Sequence, residues 1–249
     1  SYREYMIMYH NIHLPLVSLS DILHNSVAIC EQVNQLCRPL EHFTHYMQQG
    51  YYPFGAEGFA TYNQRLENTV DLLLNIELPQ LRKVDIGNIR KLKALLSVLA
   101  SEVPMLVDTA KLSTLLGISR NTLLAYLEYL DEAKLIRRLY SDDLSVKKMQ
   151  KPDKILMDNC NLLKVLALKE PNIGTLRETF FCNQLGYQHQ VEYSKQGDFL
   201  IDHQITFEIG GQAKEGKQVA AVENAYIVAD DIEYSYGNKL PIWLFGLLY

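Results

Sequence analysis

Residues 108–139 read DTAKLSTLLGISRNTLLAYLEYLDEAKLIRRL, and this stretch decides how the middle of the chain folds. Asp108 is a side-chain acceptor just ahead of an apolar run, which predicts an N-cap for a short helix through Leu116. Gly117 supplies a tight turn, because a residue without a Cβ enters the left-handed region at little cost. Ser119 then caps a longer helix through about Ala133, and Leu135 to Leu139 reads as a strand. A helix-turn-helix needs a small residue where its helices cross, and Ser113, four before Gly117, fills that role. Leu112, Leu116, Ile118, Leu123 and Tyr126 flank the turn as its apolar ties. Upstream, Ile89, Leu92, Leu95, Leu96 and Leu99 recur at three- and four-residue steps until Pro104 marks a stop. The order helix, helix, helix, strand predicts a winged helix over residues 86–150.

In such modules the start of the second helix faces the major groove, which makes Arg120, Asn121 and Thr122 candidates for nucleic-acid contact. Residues 134 to 154 add Lys134, Arg137, Arg138, Lys147, Lys148, Lys151 and Lys154, a patch able to grip phosphates along a wing. The opposing reading is a solvated basic face on a module used for packing, since Glu128, Asp131 and Glu132 follow on the same helix.

Further along, Asn172 to Tyr187 has helical spacing, with Leu176, Phe180, Phe181 and Leu185 on one side. Phe199 to Ile201 and Ile205 to Ile209 read as short strands around a polar turn, and Tyr226 to Ala229 and Ile242 to Leu248 as two more. Metal-dependent phosphodiester cleavage requires carboxylates to hold a divalent ion and usually a lysine near the attacking water. Restriction-endonuclease-like folds place an acidic residue on a helix, an aspartate opening one strand, and Glu-x-Lys on the next. Glu178, Asp198 and Glu208 occupy those places, with Asp198 and Glu208 the candidate ligands for Mg or Mn. Gly210 stands where the lysine is expected, and Lys214 is the candidate to replace it. Three acidic residues among 29 also fall near strands by chance.

Gly211 to Lys217 fits most of a phosphate-binding loop, but Gln218 stands where a serine or threonine must meet magnesium. Too little chain follows to complete a nucleotide-binding sheet, so no ATP site is expected here.

The N-terminal part is expected to be helical, with Ser18 or Ser20 capping a helix over Leu19 to Cys37 and another running from about Tyr62 to Leu74. Across 249 residues, 48% hydrophobic and 21% charged content marks a folded globular chain, and the net charge of −5 gives no global attraction to nucleic acid. Cys30, Cys37, Cys160 and Cys182 never approach CxxC spacing, which argues against zinc and fits free thiols in a reducing cytoplasm. No apolar run reaches the roughly 20 residues of a membrane span. The chain opens at Ser1 without methionine and is expected to be a fragment, with Tyr2, Tyr5, Met6, Ile7, Met8 and Tyr9 exposed by the truncation.

Taken together these segments resemble a large bacterial and archaeal family of AAA-type P-loop ATPases carrying a C-terminal domain of unknown function. Ser1 to Tyr5 looks like the segment that follows the ATPase core, and Pro39-Leu40, Phe43, Tyr46 and Gly50 to Pro53 match the aromatic segment after it. The winged helix comes next, then Lys154 to Asp158, Gly174 to Glu178, Asp198-Phe199 and Phe207 to Gly211, each like a family segment in the same order. The resemblance implies a helical lid over residues 1–85, a winged helix over 86–150 and an α/β restriction-endonuclease-like domain over 151–249, a mixed fold overall. It also implies that ATP and Mg belong to a missing N-terminal core and not to this chain. The expected role is a nucleic-acid- or partner-binding module with a degenerate nuclease-like site. An active metal-dependent nuclease and a non-catalytic protein scaffold are the two alternatives.

Overall fold

The computed structural model describes residues 1–82, 86–141 and 151–249. The chain forms two compact units, Ser1–Gly58 with Ile173–Tyr249, and Phe59–Asn172. Its class is mixed α/β, with ten α-helices and two small sheets among the described residues. None of those helices is long and apolar enough to cross a membrane.

The first unit opens with α1 (Tyr2–His10), α2 (Leu19–Leu36) and α3 (Pro39–Gln49). Ser1 and Ser18 start α1 and α2 with reciprocal capping boxes to Glu4 and Asp21, which satisfies backbone donors that a helix start leaves open. Pro39 begins α3, where its missing N–H costs nothing. The expected exposure of residues 2–9 fails at Tyr2, Tyr5 and Met6, which are buried, while Met8 is exposed. Tyr2 packs edge-on to Phe43 and Tyr46 of α3, so the apolar residues of α1 have a partner within their own unit.

The second unit starts with α4 (Tyr62–Leu72), which passes through a π-helical turn at Leu73–Glu77 into α5 (Leu78–Arg82). Then come α6 (Ile86–Glu102), β1 (Met105–Leu106), α7 (Thr109–Leu116) and α8 (Arg120–Glu132). The unit ends with β2 (Ile136–Leu139), β3 (Lys154–Met157) and α9 (Cys160–Leu166). Its sheet has the order β1-β3-β2, antiparallel throughout, with Ile136 opposite Met157 and Leu139 opposite Lys154. α6 buries Leu92, Leu95, Leu96 and Leu99, and α8 buries Leu123, Tyr126, Leu127 and Leu130. Gly117, at φ 59°, ends α7 in the left-handed conformation that the sequence pattern required of it.

Back in the first unit, α10 (Ile173–Leu185) precedes β4 (Val191–Tyr193), β5 (Phe199–Ile201), β6 (Ile205–Gly210), β7 (Ala225–Ala229) and β8 (Lys239–Pro241). These five strands lie in sequence order, antiparallel from β4 to β6 and parallel from β6 to β8. Phe181 of α10 packs against Phe199, Phe207 and Phe245, and Phe180 meets Phe43 edge-on at 4.7 Å. The strand expected over Ile242 to Leu248 is instead a 3-10 helix, Ile242–Leu247, all six residues of which are buried. An apolar run covered on every side has no period by which sequence separates strand from helix. Gly246 lets this helix approach α1 closely, since a Cβ there would lie 2.5 Å from that of Tyr2.

Candidate functional site

Antiparallel pairing of β5 with β6 sets Phe199 opposite Phe207, which brings Asp198, one residue before β5, alongside Glu208. The Asp198 N–H donates to the Phe207 carbonyl at 2.9 Å, and the Ile209 N–H donates to Asp198 Oδ2 at 2.6 Å. One carboxylate oxygen of Asp198 is therefore engaged by the neighbouring strand. Glu208 points into the packed interior at 2% exposure, where a carboxylate needs a counter-charge. That charge is Lys214, whose Nζ lies 2.9 Å from Glu208 Oε1, while Oε2 is buried without a hydrogen-bond partner among the described residues.

Gly210 explains how the lysine gets there. A Cβ on residue 210 would lie 2.7–2.8 Å from the Cβ, Cγ and Cδ of Lys214, so the stem of Lys214 crosses the space a side chain at 210 would take. The Lys214 N–H donates to the Gly211 carbonyl at 2.9 Å, closing the tight turn that folds the lysine back. The phosphate-loop-like segment lies in the connection from β6 to β7, and its Lys217 is exposed and pairs with Glu215 at 2.6 Å.

Glu178 is half-buried on α10. Beside it, Arg177 Nε lies 3.0 Å from Asp230 Oδ2 and its Nη2 lies 3.5 Å from Asp231 Oδ2, at the carboxyl end of β7. Sequence reasoning missed this arginine and its two aspartates, because the partners lie 53 residues apart and no local pattern joins them. Among the described residues, no three His, Cys, Asp or Glu side chains gather in a way that could hold a metal ion.

The helix-turn-helix surface divides in two. Asp108 caps α7 by accepting from the Ala110 and Lys111 N–H groups, and Ser119 caps α8 by accepting from the Thr122 N–H at 3.1 Å. Thr122 Oγ1 lies 2.8 Å from Ser119 Oγ, so this side chain belongs to the cap, whereas Arg120 and Asn121 are exposed on the first turn. Arg137 turns inward, its Nε 3.0 Å from Oδ1 of Asp158. Asp158 is 1% exposed, and burial pushes its carboxyl up, against the opposing pull of Arg137. Arg138 is held by Asp131 at 3.0 Å, and Lys154 is buried in β3. Lys147 and Lys148 lie outside the described residues.

The molecule defined so far is a mixed α/β chain of two compact units, one with a helix-turn-helix and one with a carboxylate–lysine pair on a five-stranded sheet. It belongs to the family described as domain of unknown function DUF8612, which matches residues 40–172, just over half of the chain. It is also similar to an uncharacterized protein of Methanocaldococcus jannaschii, 23% identical over 279 aligned positions that take in 100% of this chain and 58% of that protein. The chain thus spans little more than half the length of this relative. No solved structure matches.

Proposed function

We propose that this chain is the C-terminal region of an AAA-type ATPase of the cytoplasm, a helical lid, winged helix and restriction-endonuclease-like domain acting as a binding module and not as a nuclease. The order of its segments supports the architecture: a helix-turn-helix followed by two antiparallel strands, then a helix and a strand pair carrying Asp198 and Glu208. The non-catalytic reading is carried by one observation. Glu208, the residue that would anchor a divalent ion, already has its counter-charge in Lys214 at 2.9 Å. Asp198 is engaged by the Ile209 N–H, and no third acidic side chain converges on the pair among the described residues. This donor set does not fit a resident metal ion. ATP and Mg belong, on this reading, to the part of the parent protein that carries the phosphate loop.

A protein partner is favoured over DNA because three of the cations between 134 and 154 are already used. Arg137 and Arg138 face Asp158 and Asp131, and Lys154 is buried. Arg120 and Asn121 remain as an exposed pair through which nucleic acid could still be met. The active-nuclease alternative keeps one observation in its favour, the Lys214 amine placed beside Glu208 in the absence of a lysine at 210. Incubation with single- and double-stranded DNA and RNA, in Mg or Mn, separates the two. The binding-module reading expects no cleavage in either ion. Cleavage that disappears in both Asp198→Ala and Lys214→Met would replace it with the nuclease.

A further inference from the structure

Two imidazoles of the first unit meet one tyrosine hydroxyl where α1 packs on α3, and a third lies against one of them. His10 is the last residue of α1, and His42 and His45 lie three apart on α3, on the same face of that helix. The Tyr5 hydroxyl lies 2.7 Å from His45 Nδ1 and 3.2 Å from His10 Nε2. The rings of His10 and His42 are stacked obliquely with centroids 4.2 Å apart, and the Tyr5 ring meets His10 edge-on at 5.3 Å. Tyr5 itself is 3% exposed.

A phenol has one proton to give. It can donate to one facing ring nitrogen and accept from the other, which suits one bare nitrogen and one N–H. A proton added at the bare nitrogen leaves two N–H donors aimed at one oxygen, whose own hydrogen must then turn away from both rings. It also sets like charges on rings that are nearly in contact. The arrangement therefore accommodates a neutral His10 ring better than a protonated one.

We propose that His10, set between the Tyr5 hydroxyl and the His42 ring, is a proton-operated latch, holding the end of α1 on α3 while neutral and letting it go when protonated. Release would uncover the apolar face of α1, namely Tyr2, Tyr5 and Met6, all buried in the closed state. The other ionisable groups on this contact do not replace the imidazoles. α1 contributes Tyr5 and Tyr9, whose hydroxyl donates to the Tyr52 carbonyl, and α3 contributes Tyr46 and the exposed Glu41. The turn Pro53–Glu57, which also packs on α1, carries the exposed Glu57, and the buried Ile242–Leu247 helix carries no titratable side chain. Burial first, and then the neighbouring His42 and His45, hold the His10 imidazole below its ordinary value of 6.5. A base whose folded value is lowered takes up its proton more readily once released, so docking is complete above about 6.5 and is lost as the pH falls below it.

The test is hydrogen exchange on the intact chain at pH 7.5 and 5.5, reading protection of α1 amides relative to α10 amides, so that the intrinsic pH dependence of exchange cancels. The latch expects the α1-to-α10 protection ratio to fall severalfold at the lower pH. In the His10→Gln/His42→Gln double variant, where two neutral amides replace the rings, the ratio should stay constant. Tyr5→Phe keeps the buried ring, removes the shared hydroxyl, and should lower the ratio already at pH 7.5. A ratio independent of pH in the wild-type chain, a uniform loss of protection across α1 and α10, or an unchanged pH response in the double variant would each overturn the proposal.

Discussion

The side chain of Lys214 lies across the bare Cα of Gly210 and sets its amine 2.9 Å from the Glu208 carboxylate. Glycine at 210 and lysine at 214 are thus one arrangement: the first leaves a gap on the strand, and the second fills it from the following turn. Glu208 would otherwise be a nearly buried charge with no partner, a state that proteins avoid at a cost of several kcal/mol.

Gly210→Ala tests that dependence directly. Its new Cβ would meet the near end of the lysine stem, at Cβ and Cγ, which cannot move without moving the Lys214 backbone. The expected loss is about 1–3 kcal/mol, the usual effect of overpacking, and it should be seen as a lower urea midpoint at unchanged slope. In a Lys214→Gly background the same change should be nearly neutral, since the Cβ, Cγ and Cδ that it would meet are gone. An additive double variant would mean that the two residues are not coupled.

The Arg137–Asp158 pair sets up a second cycle. Both side chains are largely buried, at 13% and 2% exposure, and removing one leaves the other charge without its counterpart. Asp158→Ala is expected to cost on the order of 3–5 kcal/mol, while Arg137→Met/Asp158→Leu together should cost markedly less. Burial raises the Asp158 carboxyl above its ordinary 3.8 in spite of Arg137, so the folded state holds this proton more tightly than the unfolded one. Its contribution to stability therefore declines as the pH rises from 3.8, and Asp158→Asn should remove that component from a thermal melting series.

The parts of this fold that the sequence exposed are those with a local cause. Asp108, Gly117 and Ser119 mark the ends of α7 and α8 because a cap and a left-handed turn depend on one residue and its near neighbours. β5 and β6 were readable from a polar turn between two apolar runs. The last segment, Ile242–Leu247, was not, since uniform burial erases periodicity. Nor were the partners of the charged residues. Whether Arg137 faces water or Asp158 depends on β2 lying against β3, with Arg137 opposite Leu156, a register no single segment contains. The basic patch between 134 and 154 looked like one surface in sequence. In the described part of the fold it resolves into two occupied arginines, one buried lysine, the half-buried Lys151 and the exposed Lys134.

That division makes a sharp prediction for nucleic acid. Arg120 lies on the first turn of α8, exposed, where a recognition helix meets base edges and phosphates. Arg138, held by Asp131 through both its Nε and its backbone N–H, is tied down. If duplex DNA binds this unit, Arg120→Ala should weaken binding by roughly tenfold and make the salt dependence shallower by about one counterion. Arg138→Ala should leave affinity within about twofold, because exchanging an arginine already paired to a carboxylate removes little net attraction for phosphate. Fluorescence anisotropy with a labelled duplex across a salt series reads both quantities. An equal loss in the two variants would show that the ion pair opens on binding and that β2, not only the helix start, takes part in the contact. No binding to duplex even at low salt would turn this helix-turn-helix into a packing module and leave the protein-partner reading as the one to pursue.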